Sequence, residues 1–379
     1  MNKDHLHDIV IIGGGLAGLS LAIQASRAGY NTILFEKEKY PFHRVCGEYI
    51  SLESWNFLEE LGIPLSDMHL PQIQELLISA PNGNFLRHHL SLGGFGISRY
   101  LLDHSLSKLA RASGAVIMEE TKVSNVQFLN DNFFISTTNG NFHTKIAVGA
   151  FGKRSNLDVK WKRPFIQQKP DKLNNYIAVK YHLQYPIHKH EIALHNFENG
   201  YAGISQIEDN LQCLCYLTTS ENLRKNENDV RKMEERILMK NPFLQDIFSK
   251  AVFKFNQPVI ISQVAFSSKS QIENHVLLMG DAAGMITPLC GNGMSMAFHS
   301  SKLAFKEIEK FLLHKSDRFA MERRYSNQWK YFFAGRLRSG RAIQYFFGNP
   351  LITNFFISTV KRFPKMVEYL VKQTHGTPF

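Results

Sequence analysis

The stretch DIVIIGGGLAGLSLAI, residues 8–23, constrains the fold more than any other part of the chain. Residues 8–12 form a short apolar run without alternation, which predicts a buried strand of a parallel sheet. A glycine cluster follows. The apolar spacing of LAGLSLAIQASRAGY is then helical, and Gly29 is a plausible helix stop. NTILFEK reads as a second strand. A strand–helix–strand unit therefore opens almost at residue 1.

Within it, Gly13-Gly14-Gly15-Leu16-Ala17-Gly18 satisfies G-x-G-x-x-G. Glycine at 13 permits the tight turn, Gly15 lets the backbone approach a pyrophosphate, and Gly18 lets helix and strand pack closely. The pyrophosphate would sit on the helix N-terminus, where free N–H groups and the helix dipole favour an anion. Glu36, followed by Lys37, ends the second strand 18 residues beyond Gly18. A carboxylate there can accept hydrogen bonds from both ribose hydroxyls, which favours an adenosine without a 2′-phosphate. The pattern predicts a bound dinucleotide.

A second glycine-rich turn lies far along the chain, in LLMGDAAGMITPLCGNGMSMAF. Gly280-Asp281 ends a predicted strand at 275–280. Pro288 and Gly291-Asn292-Gly293-Met294 open a helix running from Gly293 to about Leu313. Two such turns, each after a strand, suggest one long ligand held from two sides.

With both turns, residues 8 to about 310 resemble the FAD flavoprotein superfamily of aromatic-ring hydroxylases, squalene-type epoxidases, flavin halogenases and geranylgeranyl reductases. The resemblance implies an α/β fold. A Rossmann-type FAD-binding domain with a central parallel sheet would be assembled from 1–75, 92–155 and 266–315. An antiparallel-sheet substrate domain would come from 76–91 and 156–265, and a helical C-terminal segment from 316–379. It also implies FAD as cofactor, with Asp281 on the ribitol and Gly291, Asn292, Gly293 and Met294 by the pyrimidine edge of the flavin. A helix N-terminus there stabilises negative charge developing on the reduced ring. Pro288 would stand where substrate approaches the flavin face. ISRYLLDHSLSKLARASGA resembles the family's R-x-x-x-D helix, capped by Ser98 and stopped at Gly114, so Arg99 would contact the FAD phosphates or ribitol. Val123 would touch the adenine through its backbone.

The loop PFHRVCGEYIS, Pro41–Ser51, leaves the second strand just after Glu36 and should run towards the flavin ring. Arg44 occupies the position that contacts FAD in the resemblance. Cys46 has three readings: a small packed residue near the flavin, a group that shapes substrate or positions a proton, or a nucleophile or redox thiol. For the last, no base or partner cysteine is placed by the sequence. Glu48 is either a general acid/base or a cap for the following helix, SLESWNFLEELGI.

The subfamily signatures conflict. GAFGKRS at 149–155 carries Phe151 where hydroxylases keep an aspartate. Halogenases carry W-x-W-x-I-P, whereas Trp55, Trp161 and Trp329 lie far apart. Reductases share the Cys-Gly pair, but their Tyr-x-Trp-x-Phe-Pro is reduced here to GYAGIS. There is no second G-x-G-x-x-G for a separate nicotinamide domain, so electrons would come from transiently bound NAD(P)H or another external donor. Monooxygenation stands slightly ahead of double-bond reduction. A non-enzymatic flavin-binding module is the contrasting class.

The remaining residues are quieter. Segment 116–150 reads as hairpin strands and 156–265 as mostly strand, apart from the charged helical stretch ENDVRKMEERILMKN. His188, His190 and His195 read as solvent-facing. No G-x-S-x-G elbow is present. The four cysteines have no zinc-ligand spacing, so no metal site is expected, and their scarcity suits a reducing cytosol. No secretory signal and no run of about 18 apolar residues is expected. The net charge of +11 is concentrated in 316–379, where eleven Lys/Arg face three acids among aromatic runs at 331–333, 345–347 and 354–356. That segment reads as helices with a solvated cationic face and a buried aromatic face, or as a peripheral membrane contact serving a lipophilic substrate. Nucleic acid is the least favoured partner.

Overall fold

The computed structural model describes residues 6–168, 175–346 and 349–379. The strand-like reading of 169–174 and the last residue of the 345–347 aromatic run, Phe347, lie outside them.

A parallel sheet is built on the opening unit. Strand Leu6–Ile12 is central, flanked by Thr32–Phe35 on one side and Gly140–Gly149 on the other. Val116–Met118 and Val276–Leu278 extend it at the two edges. Ile9–Ile11, Ile33, Leu34, Ile146–Val148 and Val276–Leu278 are all fully buried, as continuous apolar runs require when both faces are covered. Helix Leu16–Arg27 packs against helices Arg99–Ala112 and Gly293–Leu312. The expected caps are formed: the Ser98 hydroxyl accepts from Leu101 N, and Gly114 ends the helix with φ +99°. The hairpin reading of 116–150 holds, because Val123–Leu129, Asn132–Thr137 and Gly140–Gly149 form an antiparallel meander.

A second sheet of nine strands lies beyond it and is antiparallel except where Gln72–Ser79 runs alongside Glu191–Phe197. Its edge strand, Tyr49–Ser51, is the end of the cofactor loop. Strands Gln72–Ser79 and Phe85–Gly96 run across the 75/76 and 91/92 divisions drawn from the sequence. Pairing partners set those strand ends, and they are distant in the chain. The 156–265 region also holds helix Pro242–Lys250, which the sequence reading missed. Asn241 caps it through Phe243 N and Pro242 sits at its first turn.

The described part of the C-terminal segment is built of three helices, Arg318–Phe346, Pro350–Val360 and Pro364–Thr374. Its first helix buries Met321, Tyr325, Trp329 and Phe333 in the core of the parallel-sheet layer. No helix among the described residues is long and apolar enough to cross a membrane.

Candidate active site

A cavity of about 3200 Å³, open mouth included, runs between the two sheets. One end is bounded by Glu36, Lys37 and Val123, the middle by Gly13, Gly15, Ala17 and Arg99, and the far end by Pro288, Gly291, Gly293 and Met294.

The three motif glycines have different surroundings. Gly13 takes φ +107°, and a Cβ there would meet the Ala150 carbonyl at 2.5 Å. A Cβ on Gly18 would meet the Gly13 carbonyl at 2.1 Å, so helix and strand touch backbone to backbone. At Gly15 the nearest atom would be an Arg99 nitrogen at 3.8 Å. That position is open to the cavity, and the helix it starts has no side-chain cap and no acid in its first turn. Free N–H groups facing an open chamber suit a pyrophosphate.

The Glu36 carboxylate accepts from Gly14 N at 2.8 Å and from the Arg44 guanidinium at 2.9 Å. Arg44 also binds Asp103 at 3.0 Å, and Arg99 grips the same carboxylate at 2.7 and 2.8 Å. Asp103 is buried. Two arginines expected to contact the cofactor are therefore aimed by one carboxylate, Asp103, which the sequence showed only as the last residue of the R-x-x-x-D motif. Its signal was present: Asp103 is the fourth residue after Arg99, the spacing that puts two side chains on one helix face.

At the far end, Asp281 borders the cavity. Burial raises its carboxyl pKa, while Lys269, Arg99 and Lys153 pull it down. Lys153, also at the wall, falls to about 8 through burial. Gly291 takes φ +67° against the Tyr49 ring. The Asn292 side chain is buried, and its amide donates to the Thr374 carbonyl at 2.8 Å. It ties the glycine-rich turn to the last helix. Val123 lies at the adenosine end, with its carbonyl taken by Asn156 at 3.1 Å.

All three expected catalytic residues, Cys46, Glu48 and Pro288, line the cavity. Burial raises the Cys46 thiol pKa, opposed by Arg99 and reinforced by Glu48, so the sulfur is a thiol rather than a thiolate at neutral pH. Cys215, from strand Gln212–Thr219, lines the same chamber, and burial raises its thiol further. Glu48 is corrected as a cap for the helix that follows it. It caps a helix distant in sequence, accepting from Arg99 N at 2.7 Å. Its carboxylate is also bound by Lys180, and by His182 at 2.6 Å. Burial alone would raise the Glu48 pKa, but Lys180 and His182 outweigh it and hold it below the ordinary carboxylate range. A carboxylate bound by three partners anchors the loop.

Glu48, His182 and Cys213 bring metal-ligand atoms within 4.8 Å of one another. The Lys180 ammonium already supplies the positive charge, and the Cys213 thiol donates to the Cys46 carbonyl at 3.2 Å. His195, read as solvent-facing, is buried: its ring contacts the Ser79 hydroxyl at 2.9 Å and stacks on Phe243. Burial lowers its pKa to about 3. His188 and His190 are exposed, in the turn before that strand.

The FAD binding domain family matches residues 7–313. The chain belongs to that family. FAD is its cofactor, and the fit is visible in the open Gly15 turn, the uncapped helix and Glu36 at the strand end. Conditioned medium factor receptor 1 of Dictyostelium discoideum is 24% identical, covering 86% of this chain and 68% of that protein. Digeranylgeranylglycerophospholipid reductase of Methanococcus vannielii is 22% identical over 86% and 82%. Kynurenine 3-monooxygenase of Flavobacterium psychrophilum is 23% identical over 86% and 74%. Among solved structures, a triple mutant of the flavin-dependent brominase Bmp2 superposes with TM-score 0.78 at 18% identity, over 98% of this chain and 95% of that one. A geranylgeranyl bacteriochlorophyll reductase-like protein of Thermoplasma acidophilum does so with TM-score 0.78 at 17% identity, over 97% and 96%. This member of the FAD binding domain family is an FAD-dependent oxidoreductase.

Proposed function

We propose that the chain reduces carbon–carbon double bonds of a lipophilic substrate, an isoprenoid or polyene. The carrying observation is the Cys46 thiol on the wall of a chamber whose other side is apolar, formed by Ile192, Leu194, Leu217, Ile261 and Val264. A reduced flavin supplies a hydride equivalent when bound. In this reading Cys46 gives the proton to the other carbon and is reprotonated from solvent. Pro288 and the apolar strands exclude water and orient the chain, and Arg44, Arg99 and Asp281 hold the cofactor. NAD(P)H or another external donor supplies the electrons. The same reading puts the protein at a membrane surface through 316–379.

Monooxygenation, the reaction the sequence put first, is the second reading. The likeness to kynurenine 3-monooxygenase favours it. The Cys46 thiol and the apolar strands facing it are what put it behind reduction.

One experiment separates the two. The FAD-loaded protein is reduced anaerobically with NADPH, NADH or dithionite and given a polyprenyl alcohol, with and without readmitted oxygen. Gain of two hydrogens per double bond without oxygen supports reduction. Product that appears only with oxygen and carries one added oxygen atom overturns it in favour of monooxygenation.

A further inference from the structure

Helices Pro350–Val360 and Pro364–Thr374 present two different faces. Inward, Ile357, Val360 and Val367 are buried against strands Gln72–Ser79 and Phe85–Gly96. Outward, Leu351 is 81% exposed, Phe355 74%, Phe363 56% and Tyr369 61%. Ile352 and Met366 are exposed with them. Leu351 and Phe355 are four residues apart, so they share the side of the helix opposite Thr353, Ile357 and Val360. Between these apolar groups lie exposed Lys361, Arg362 and Lys365. The one acid of this helix pair, Glu368, is paired with Lys372 at 2.7 Å. An apolar face rimmed by unopposed cations is complementary to an anionic lipid surface.

Beneath the pair is a second cavity, of about 890 Å³ with its mouth. Its walls are apolar, with Ile78, Leu86 and Leu90 on the sheet side and Ile343, Val367 and Val371 on the helix side. It shares Tyr49, Ile192, Leu194, Pro288 and Gly291 with the cofactor chamber, so these residues form a common wall between the two spaces. The roof of this cavity and the exposed apolar face are the two sides of the same helices. Asn292 pins that roof to the cofactor turn through Thr374.

We propose that this helix pair docks on an anionic bilayer, and that the cavity beneath it takes a hydrocarbon chain from the membrane and leads it to the cofactor chamber. The inference rests on the lipophilic-substrate reading and names where that substrate comes from and which surface collects it.

The test uses the FAD-loaded full chain and needs no turnover. In co-sedimentation, the protein should pellet with phosphatidylcholine vesicles containing phosphatidylglycerol, and far less with phosphatidylcholine alone or in high salt. Leu351→Glu with Phe355→Glu, and separately Lys361→Glu with Arg362→Glu, should each weaken vesicle binding by about tenfold or more. These residues are exposed, so the flavin spectrum and thermal midpoint should not change. For the cavity, cis-parinaric acid should bind, with its emission quenched by the neighbouring flavin. Ile78→Trp, at a partly buried wall position, should weaken that binding about tenfold and leave vesicle binding intact. Absence of vesicle binding, equal binding by the charge variants, or a dimer that the Leu351/Phe355 variant converts to monomer would overturn the docking surface. Parinarate binding that ignores Ile78→Trp and the flavin would overturn the cavity. A protein that binds both probes but reduces no polyprenyl substrate loses the proposed reaction and keeps this inference. One that turns substrate over without either binding loses only this inference.

Discussion

Lys180 and Glu48 form an ion pair with both side chains wholly buried, where the antiparallel sheet meets the cofactor loop. Glu48 directly precedes edge strand Tyr49–Ser51, and Lys180 sits in strand Tyr176–Gln184. Lys180 also donates to the Arg44 carbonyl at 3.2 Å. Desolvating two charges costs several kcal/mol each, which their attraction offsets only when the remaining hydrogen-bonding capacity is filled. Here Arg99 N and His182 fill it on Glu48. The pair thus fixes the Cys46 loop from both sides.

Removing one partner leaves the other charge stranded. Lys180→Met should cost about 3–5 kcal/mol of stability, and Glu48→Gln in the same chain should restore a large part of it. Chemical denaturation of the two variants at neutral pH measures this. Glu48→Gln alone completes the cycle, and a double variant destabilised by the sum of the two single ones would show that the pair does not act as a unit.

The pair also sets a pH dependence. The folded-state pKa of Glu48 is lowered, so its contribution is present above the unfolded value of about 4.3 and is lost as pH falls through the folded value. For Lys180, burial lowers the pKa but Glu48 more than reverses that. Its contribution is therefore full below the unfolded value of about 10.4 and is lost as pH rises through the folded one. Stability should fall on the acid side from about pH 4.3 downwards, and the acid limb should be shallower in Glu48→Gln. Thermal midpoints against pH for both proteins decide it.

Gly15 and Gly18 should separate cofactor binding from folding. Gly15→Ala meets no atom closer than 3.8 Å, so the fold should survive while FAD affinity drops. Gly18→Ala drives a methyl into the Gly13 carbonyl at 2.1 Å, and yield and thermal midpoint should both fall. Circular dichroism with a flavin titration of each apoprotein reads both effects.

Asp103→Asn should weaken FAD although Asp103 itself does not line the cavity. It removes the charge that aims Arg44 and Arg99. Loss of charge-assisted bonds worth about 1.5–3 kcal/mol corresponds to roughly 10–100-fold in affinity. Flavin fluorescence quenching on titration into apoprotein measures it, and unchanged affinity would mean the arginines hold their positions without Asp103.

Cys46 should behave as an acid, not as a nucleophile. With its thiol raised by burial, alkylation by iodoacetamide at neutral pH should be slow compared with a free thiol. Cys46→Ala should keep FAD and lose double-bond reduction, and Cys46→Ser should restore part of it. Full turnover in Cys46→Ala would remove the proton-donor role.

Local sequence was enough wherever the constraint is local. The glycine turn, the apolar runs at 9–12 and 276–278, the Ser98 cap and the Gly114 stop each depend on neighbours within a few residues, and each is present. Glu36 was legible because it stands at a fixed distance from the turn it closes. Asp103 was legible in spacing but was read as part of a motif rather than as the anchor of two arginines.

Lys180, His182 and His195 were not legible. Lys180 and His182 alternate with apolar residues in YIAVKYHLQ, a pattern that would suit a strand with one face in solvent. Strand Tyr176–Gln184 is instead buried almost along its length, and the charge it buries is met by Glu48, 132 residues away. His195 is enclosed in the same way by Ser79 and Phe243. A side chain's period tells which face of a strand it is on, but what covers that face is decided by segments far apart in the chain. The sequence alone determined that a dinucleotide sits on the first helix. Tertiary structure decided which buried charges hold the Cys46 loop in place, because their cost is met only by partners that folding brings together.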